Sequence, residues 1–100
     1  MSRRLVVRPL AECDIAEAAL WYDQQRAGLG AEFPQAVEEA ITRAAAKPEH
    51  YRQLCRRPVV RRVLTDRFPY RVFFSATESV VVVHAVLHGA RDDRVWQERL

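Results

Sequence analysis

The spacing of apolar residues in this chain changes at Val59, and that change limits what each half can fold into. Before it, Ala11, Ile15, Ala18, Ala19 and Tyr22 fall at i, i+4, i+7, i+8 and i+11, and Phe33, Val37, Ala40, Ile41 and Ala44 repeat the same offsets. Each set marks one face of an amphipathic helix. After it, Val59 to Leu64, Tyr70 to Ser75 and Val80 to His88 are runs rich in β-branched and aromatic residues, separated by Thr65-Asp66 and Ala76 to Ser79. These runs predict strands, and their short connections predict an antiparallel meander.

The punctuation agrees. Leu5 to Arg8 is a short strand candidate, and Pro9 suits the first position of a helix, where its missing N–H is harmless. Gly28 and Gly30 are expected to end that helix as turn residues, with Trp21 and Tyr22 packed between the helices and the sheet. Lys47-Pro48 stops the second helix, and Pro34 is expected within its first turn. The prediction for residues 1–100 is a single α+β domain. An N-terminal strand and a two-helix hairpin pack on one face of a twisted antiparallel sheet, followed by a short C-terminal helix or tail.

Residues two apart in a strand share a face. Tyr70, Val72 and Phe74 on one strand, and Val81, Val83, Ala85 and Leu87 on the next, should therefore meet the helices. The opposite faces would carry Arg71, Phe73, Ser75, His84 and His88, with Arg61 or Arg62 from the strand before. That reading leaves one sheet face open, basic and histidine-bearing.

Charge sharpens this picture. Fifteen of the sixteen basic residues are arginines, and ten of those lie between Arg52 and Arg99, while Glu12, Asp14, Glu17 and Asp23 make the first helix acidic. Arginine is planar, permanently charged and a bidentate donor to phosphate or carboxylate, so this bias suits a charged macromolecule better than a metabolite. Arg56, Arg57, Arg61, Arg62 and Arg67 are candidates for holding phosphates, and Phe73 and Trp96 for stacking on bases.

Other classes are disfavoured. Cys13 and Cys55 form no CxxC, no signal peptide or membrane-length apolar run is evident, and a soluble protein of the reducing cytoplasm is expected. On a strand His84 and His88 stand roughly 13 Å apart, too far to share a metal, so no metal or cofactor is expected. His84, hemmed in by valines, reads as structural. His88, before Gly89, is a candidate for proton transfer.

Three segments, in this order and spacing, resemble the RelE/ParE superfamily of toxins from bacterial type II toxin-antitoxin pairs. They are Asp14-Ile15-Ala16-Glu17-Ala18 with Trp21-Tyr22 and Gln25-Arg26-Ala27-Gly28-Leu29-Gly30; Phe68-Pro69-Tyr70-Arg71-Val72-Phe73-Phe74; and Ala85-Val86-Leu87-His88 leading to Arg91-Asp92 and Trp96. The resemblance covers nearly the whole chain. It implies the fold predicted above and a cognate antitoxin with an acidic, partly disordered tail that wraps the basic surface.

The resemblance also implies one of two actions. RelE-like members cut messenger RNA on the ribosome, and ParE-like members inhibit DNA gyrase. For metal-free RNA cleavage His88 would transfer protons and Arg91, which matches a family arginine, would stabilise charge. The RNA-cleaving branch, however, uses lysines on the central strands and a tyrosine near the C-terminus, whereas Lys47 is the one lysine here and Trp96 the matching aromatic. A branch using a Glu and a His would draw on Glu49. The chain is read as nearer the gyrase-inhibiting branch, with RNA cleavage and a noncatalytic nucleic-acid-binding domain as alternatives. Arg56, Arg57, Arg61, Arg62, Arg71, Phe73 and Trp96 are its expected contacts to target or antitoxin.

Overall fold

A computed structural model describes residues 3–100. Strand β1 (Arg4–Val7) leads into helices α1 (Pro9–Gln25) and α2 (Leu29–Ala46), and a 3-10 turn at Pro48–His50 precedes β2 (Arg52–Arg56), β3 (Val59–Leu64), β4 (Tyr70–Ala76), β5 (Val80–His88) and the short α3 (Arg94–Gln97). The sheet has five strands in the order β1-β5-β4-β3-β2, with β1 parallel to β5 and every other pair antiparallel. The α+β prediction holds, and the sheet gains β2, which the sequence reading left out. Its Arg-Gln-Leu-Cys-Arg run has no clean alternation, and the register slips between Gln53 and Cys55.

The hairpin closes tightly because of its glycines. Gly28 has φ of 91°, a left-handed conformation that caps the start of α2, and its N–H donates to Asp23 Oδ1 at 2.9 Å. Gly30 belongs to the first turn of α2 and not to the connector. A Cβ there would lie 2.5 Å from the Ala19 carbonyl oxygen, so the two helices touch backbone to backbone. Because α2 starts at Leu29, Pro34 falls in its second turn, and the helix forgoes the bond to the Gly30 carbonyl.

α1 lies over β5 and α2 over β3 and β4. Between them and the sheet Phe33, Val37, Ala40, Ile41, Val63, Phe68, Val72, Phe74, Val81, Val83 and Val86 form the main core. Phe33, Phe68, Tyr70 and Tyr22 meet edge to face or tilted within it, with centroids 4.7–6.2 Å apart.

The predicted face of β5 is correct only in its first half. Phe73 pairs with Ala85 but Phe74 pairs with Val83, so His84 is an extra residue. This bulge reverses the alternation. Val81, Val83 and Val86 face the helices, while Ala85 and Leu87 join Val60, Phe73 and Trp96 in a second core on the far side.

β1 ends at Val7, so β5 runs on past its neighbour with backbone groups to satisfy. One ion pair does this. Arg99 donates to Asp14 from two nitrogens at 2.6 and 3.0 Å and to the His84 carbonyl at 3.2 Å, and Asp14 accepts the Val86 N–H at 2.9 Å. Asp14 holds the Arg99 guanidinium above its ordinary pKa. This four-way contact ties α1, β5 and the C-terminal segment together.

Candidate functional site

The expected open, basic sheet face does not exist as such. α3 lies across it, and Trp96 stacks on Phe73 with centroids 5.2 Å apart and planes 17° apart. Phe73 is 0% exposed and Trp96 2%, so neither ring is presented to a base, contrary to the sequence expectation. Burial of a second apolar set on this face, released by the β5 bulge, is what draws Trp96 down.

Arg71 lies on the same covered face and is also engaged internally. Its guanidinium sits 5.1 Å from the Phe73 centroid, pairs with Asp93 and donates to the Arg91 carbonyl at 2.7 Å. It fastens the segment that carries α3.

The remaining arginines separate by register. On β3, Arg61 pairs with Phe74 and donates to the Tyr51 carbonyl at 3.0 Å on the helix side, whereas Arg62 pairs with Phe73 on the other side. Across the hairpin Arg52 lies directly opposite Arg62, Arg56 opposite Val59, and Arg57 occupies the turn. Arg67, in the left-handed region with φ of 69°, pairs with Glu32 at 2.9 Å. Its hydrogen bond pulls the Glu32 carboxyl below its ordinary pKa. Among the described residues, Arg52, Arg56, Arg57 and Arg62 ion-pair with no carboxylate, while Arg26, Arg43, Arg67, Arg71, Arg94 and Arg99 each do.

His88 and Arg91 do come together, but on the helix side. His88 pairs with Tyr70 across β4 and β5 and stands edge-on to its ring at 5.4 Å. Its Nδ1 accepts the Ala90 N–H at 3.0 Å, which leaves Nε2 for other contacts. With Asp14, Glu17, Ala18, Trp21, Tyr70, Val86 and Arg91 it lines a recess of about 160 Å³. Burial raises the Tyr70 phenol pKa. Trp21, expected in the core, is 54% exposed at this recess and leans edge-on against Tyr22 at 5.0 Å. Glu17 and Trp21, four apart on α1, were not paired with His88 by sequence reasoning, because only the β5 bulge turns His88 toward α1. Glu49 precedes the edge strand β2, with β3 and β4 between it and the strand of His88.

His84 is buried beside the bulge. Ser75 donates its hydroxyl hydrogen to the Val59 carbonyl at 2.6 Å, so its oxygen accepts from His84 Nε2 at 2.8 Å. Burial, with the Arg8 charge second, pushes the His84 pKa below its ordinary value. The neutral ring leaves Nδ1 without a hydrogen-bond partner among the described residues.

Among the described residues, no three or more His, Cys, Asp or Glu side chains gather as a metal site, and no helix is long and apolar enough to cross a membrane. No curated protein matches the chain. The model of the ParE toxin of the type II toxin-antitoxin system, parDE, matches residues 5–93, which takes in the helical hairpin, every strand from β2 to β5 and the His88–Arg91 recess. With the α+β architecture and a match across most of its length, the chain belongs to the ParE toxin family.

Proposed function

We propose that this chain is a growth-arresting toxin that inhibits DNA gyrase and is neutralised by a cognate antitoxin bearing an acidic segment. The family match over residues 5–93 carries the reading. The disposition of charge supports it against RNA cleavage. Metal-free cleavage needs a base, an acid and a free cation converging on one phosphodiester. Arg71 is instead committed to Asp93 and the Arg91 carbonyl, and Trp96 is buried on Phe73 with no hydroxyl to offer. Lys47, the one lysine, lies at the end of α2.

One observation favours a second reading, ribosome-dependent RNA cleavage: His88, Arg91, Tyr70 and Glu17 share a single recess. The decisive comparison uses purified protein in two assays, supercoiling by gyrase and cleavage of messenger on the ribosome. Gyrase inhibition with intact messenger is expected. Cleavage lost in His88→Ala and Arg91→Ala, with gyrase unaffected, would transfer the assignment to the nuclease branch. Induced expression without an antitoxin should arrest growth, and normal growth at good protein levels would overturn the toxin reading altogether.

A further inference from the structure

The β2–β3 hairpin holds a concentration of charge of which the fold engages only Arg61, through the Tyr51 carbonyl. From His50 to Thr65 there are five arginines and no acidic residue. Arg52 and Arg62 are direct cross-strand partners, so two cations stand with Cβ atoms roughly 5 Å apart, an arrangement that destabilises a sheet. Six arginines outside the hairpin are neutralised by carboxylates, whereas Arg52, Arg56, Arg57 and Arg62 have none among the described residues and stand together on one hairpin. Arg52, Arg56 and Arg57 are exposed and Arg62 half-buried.

We infer that this hairpin binds the phosphate backbone of duplex DNA. Arg52 and Arg56 stand roughly 13 Å apart along the edge strand, far enough to engage separate phosphates of one DNA backbone. Arg62 and Arg57 widen the row to either side. Single-stranded nucleic acid is a poorer fit, because it is held by stacking on exposed aromatics, whereas Phe73 and Trp96 are sealed in the second core and Tyr51 packs against Phe74 and the main core.

An acidic protein tail also fits less well. A tail that orders on binding needs apolar surface to offset its lost entropy. The large exposed apolar side chains on the hairpin, Val59 and Leu64, stand singly at opposite ends of β3. The exposed Leu10, Leu20 and Trp21 all belong to α1, which packs over β5, with β4 and β3 between that strand and β2. The inference deepens the gyrase reading by giving the toxin a hold on the DNA that gyrase processes, and rests on that reading only for whose DNA it is.

The test is fluorescence anisotropy of a labelled duplex of about 20 base pairs, without gyrase, as salt rises from about 50 to 200 mM. Four neutralised phosphates predict a slope of log affinity against log salt of about −3.6. Arg52→Gln and Arg62→Gln should each reduce its magnitude by about one, while Arg26→Gln, on the helical hairpin, leaves it unchanged. Both hairpin variants should melt no lower than the parent, since each relieves a like-charge pair, so weaker binding cannot be ascribed to unfolding. Absence of salt-dependent binding, or a slope indifferent to both hairpin variants, overturns the inference. So does tighter binding to the matching single strand, or capture by polyglutamate in preference to duplex. Supercoiling inhibition that persists without duplex binding sinks this inference and leaves the gyrase reading standing, and duplex binding without inhibition does the reverse.

Discussion

His84 shows how one side chain records its surroundings. Its folded pKa lies below the ordinary 6.5 because burial and Arg8 both disfavour the imidazolium. Near and below that value the unfolded chain therefore binds the proton more readily. The stability contributed by the neutral ring is complete above about pH 6.5 and declines as pH falls through and below it. Thermal unfolding at about pH 7.5 and 5.5 should show a lower melting temperature in acid, and His84→Gln should shrink that difference; an equal drop in the variant would remove His84 as its source. Gly30 offers a second test at this scale. Gly30→Ala forces a methyl to 2.5 Å from the Ala19 carbonyl, which is backbone and cannot swing aside. A loss of about 2–3 kcal/mol in chemical denaturation is expected, and a neutral result would mean that the helices can part.

Among the elements, the C-terminal segment behaves as part of the core. Trp96→Ala should lose about 3–5 kcal/mol and expose Phe73 to a hydrophobic dye, because the tryptophan is the lid of the second core. Asp14→Asn leaves the Arg99 guanidinium, 15% exposed, without its counter-charge and should destabilise by about 3 kcal/mol. Asp14→Asn together with Arg99→Met should recover part of that loss, which a double-mutant cycle would measure. The elements were legible in sequence where their period was clean. The stripes of α1 and α2, the three strands from Val59 onward and the stop at Lys47-Pro48 all follow from spacing. The bulge was not legible, because Val80 to Leu87 is apolar on both faces except at His84, and a run without alternation carries no phase. That single missing fact misdirected His88, Ala85, Leu87, Phe73 and Trp96 together. Arg71 was misjudged for a related reason, since nothing in a sequence shows that Asp93 folds back to meet it.

At the scale of the molecule, the sheet is a wall between two cores of unequal size, with its central strands β5 and β4 shielded on both sides. Amide exchange should be slowest in β4 and β5, tracking global unfolding, and faster in the edge strands β1 and β2; comparable rates in centre and edge would contradict this layering. The uneven charge belongs to this scale too, with carboxylates along α1 and unpaired arginines at the far edge of the sheet. Its overall bias was visible in composition, but which arginines are spent on the fold and which are left over required the register. The extra residue in β5 also has a consequence for how such chains diverge. A cousin lacking the codon for it would keep one unbroken parity along that strand and have no greasy patch on the reverse for an indole to grip, so deletion of that codon and replacement of the tryptophan should be inherited together.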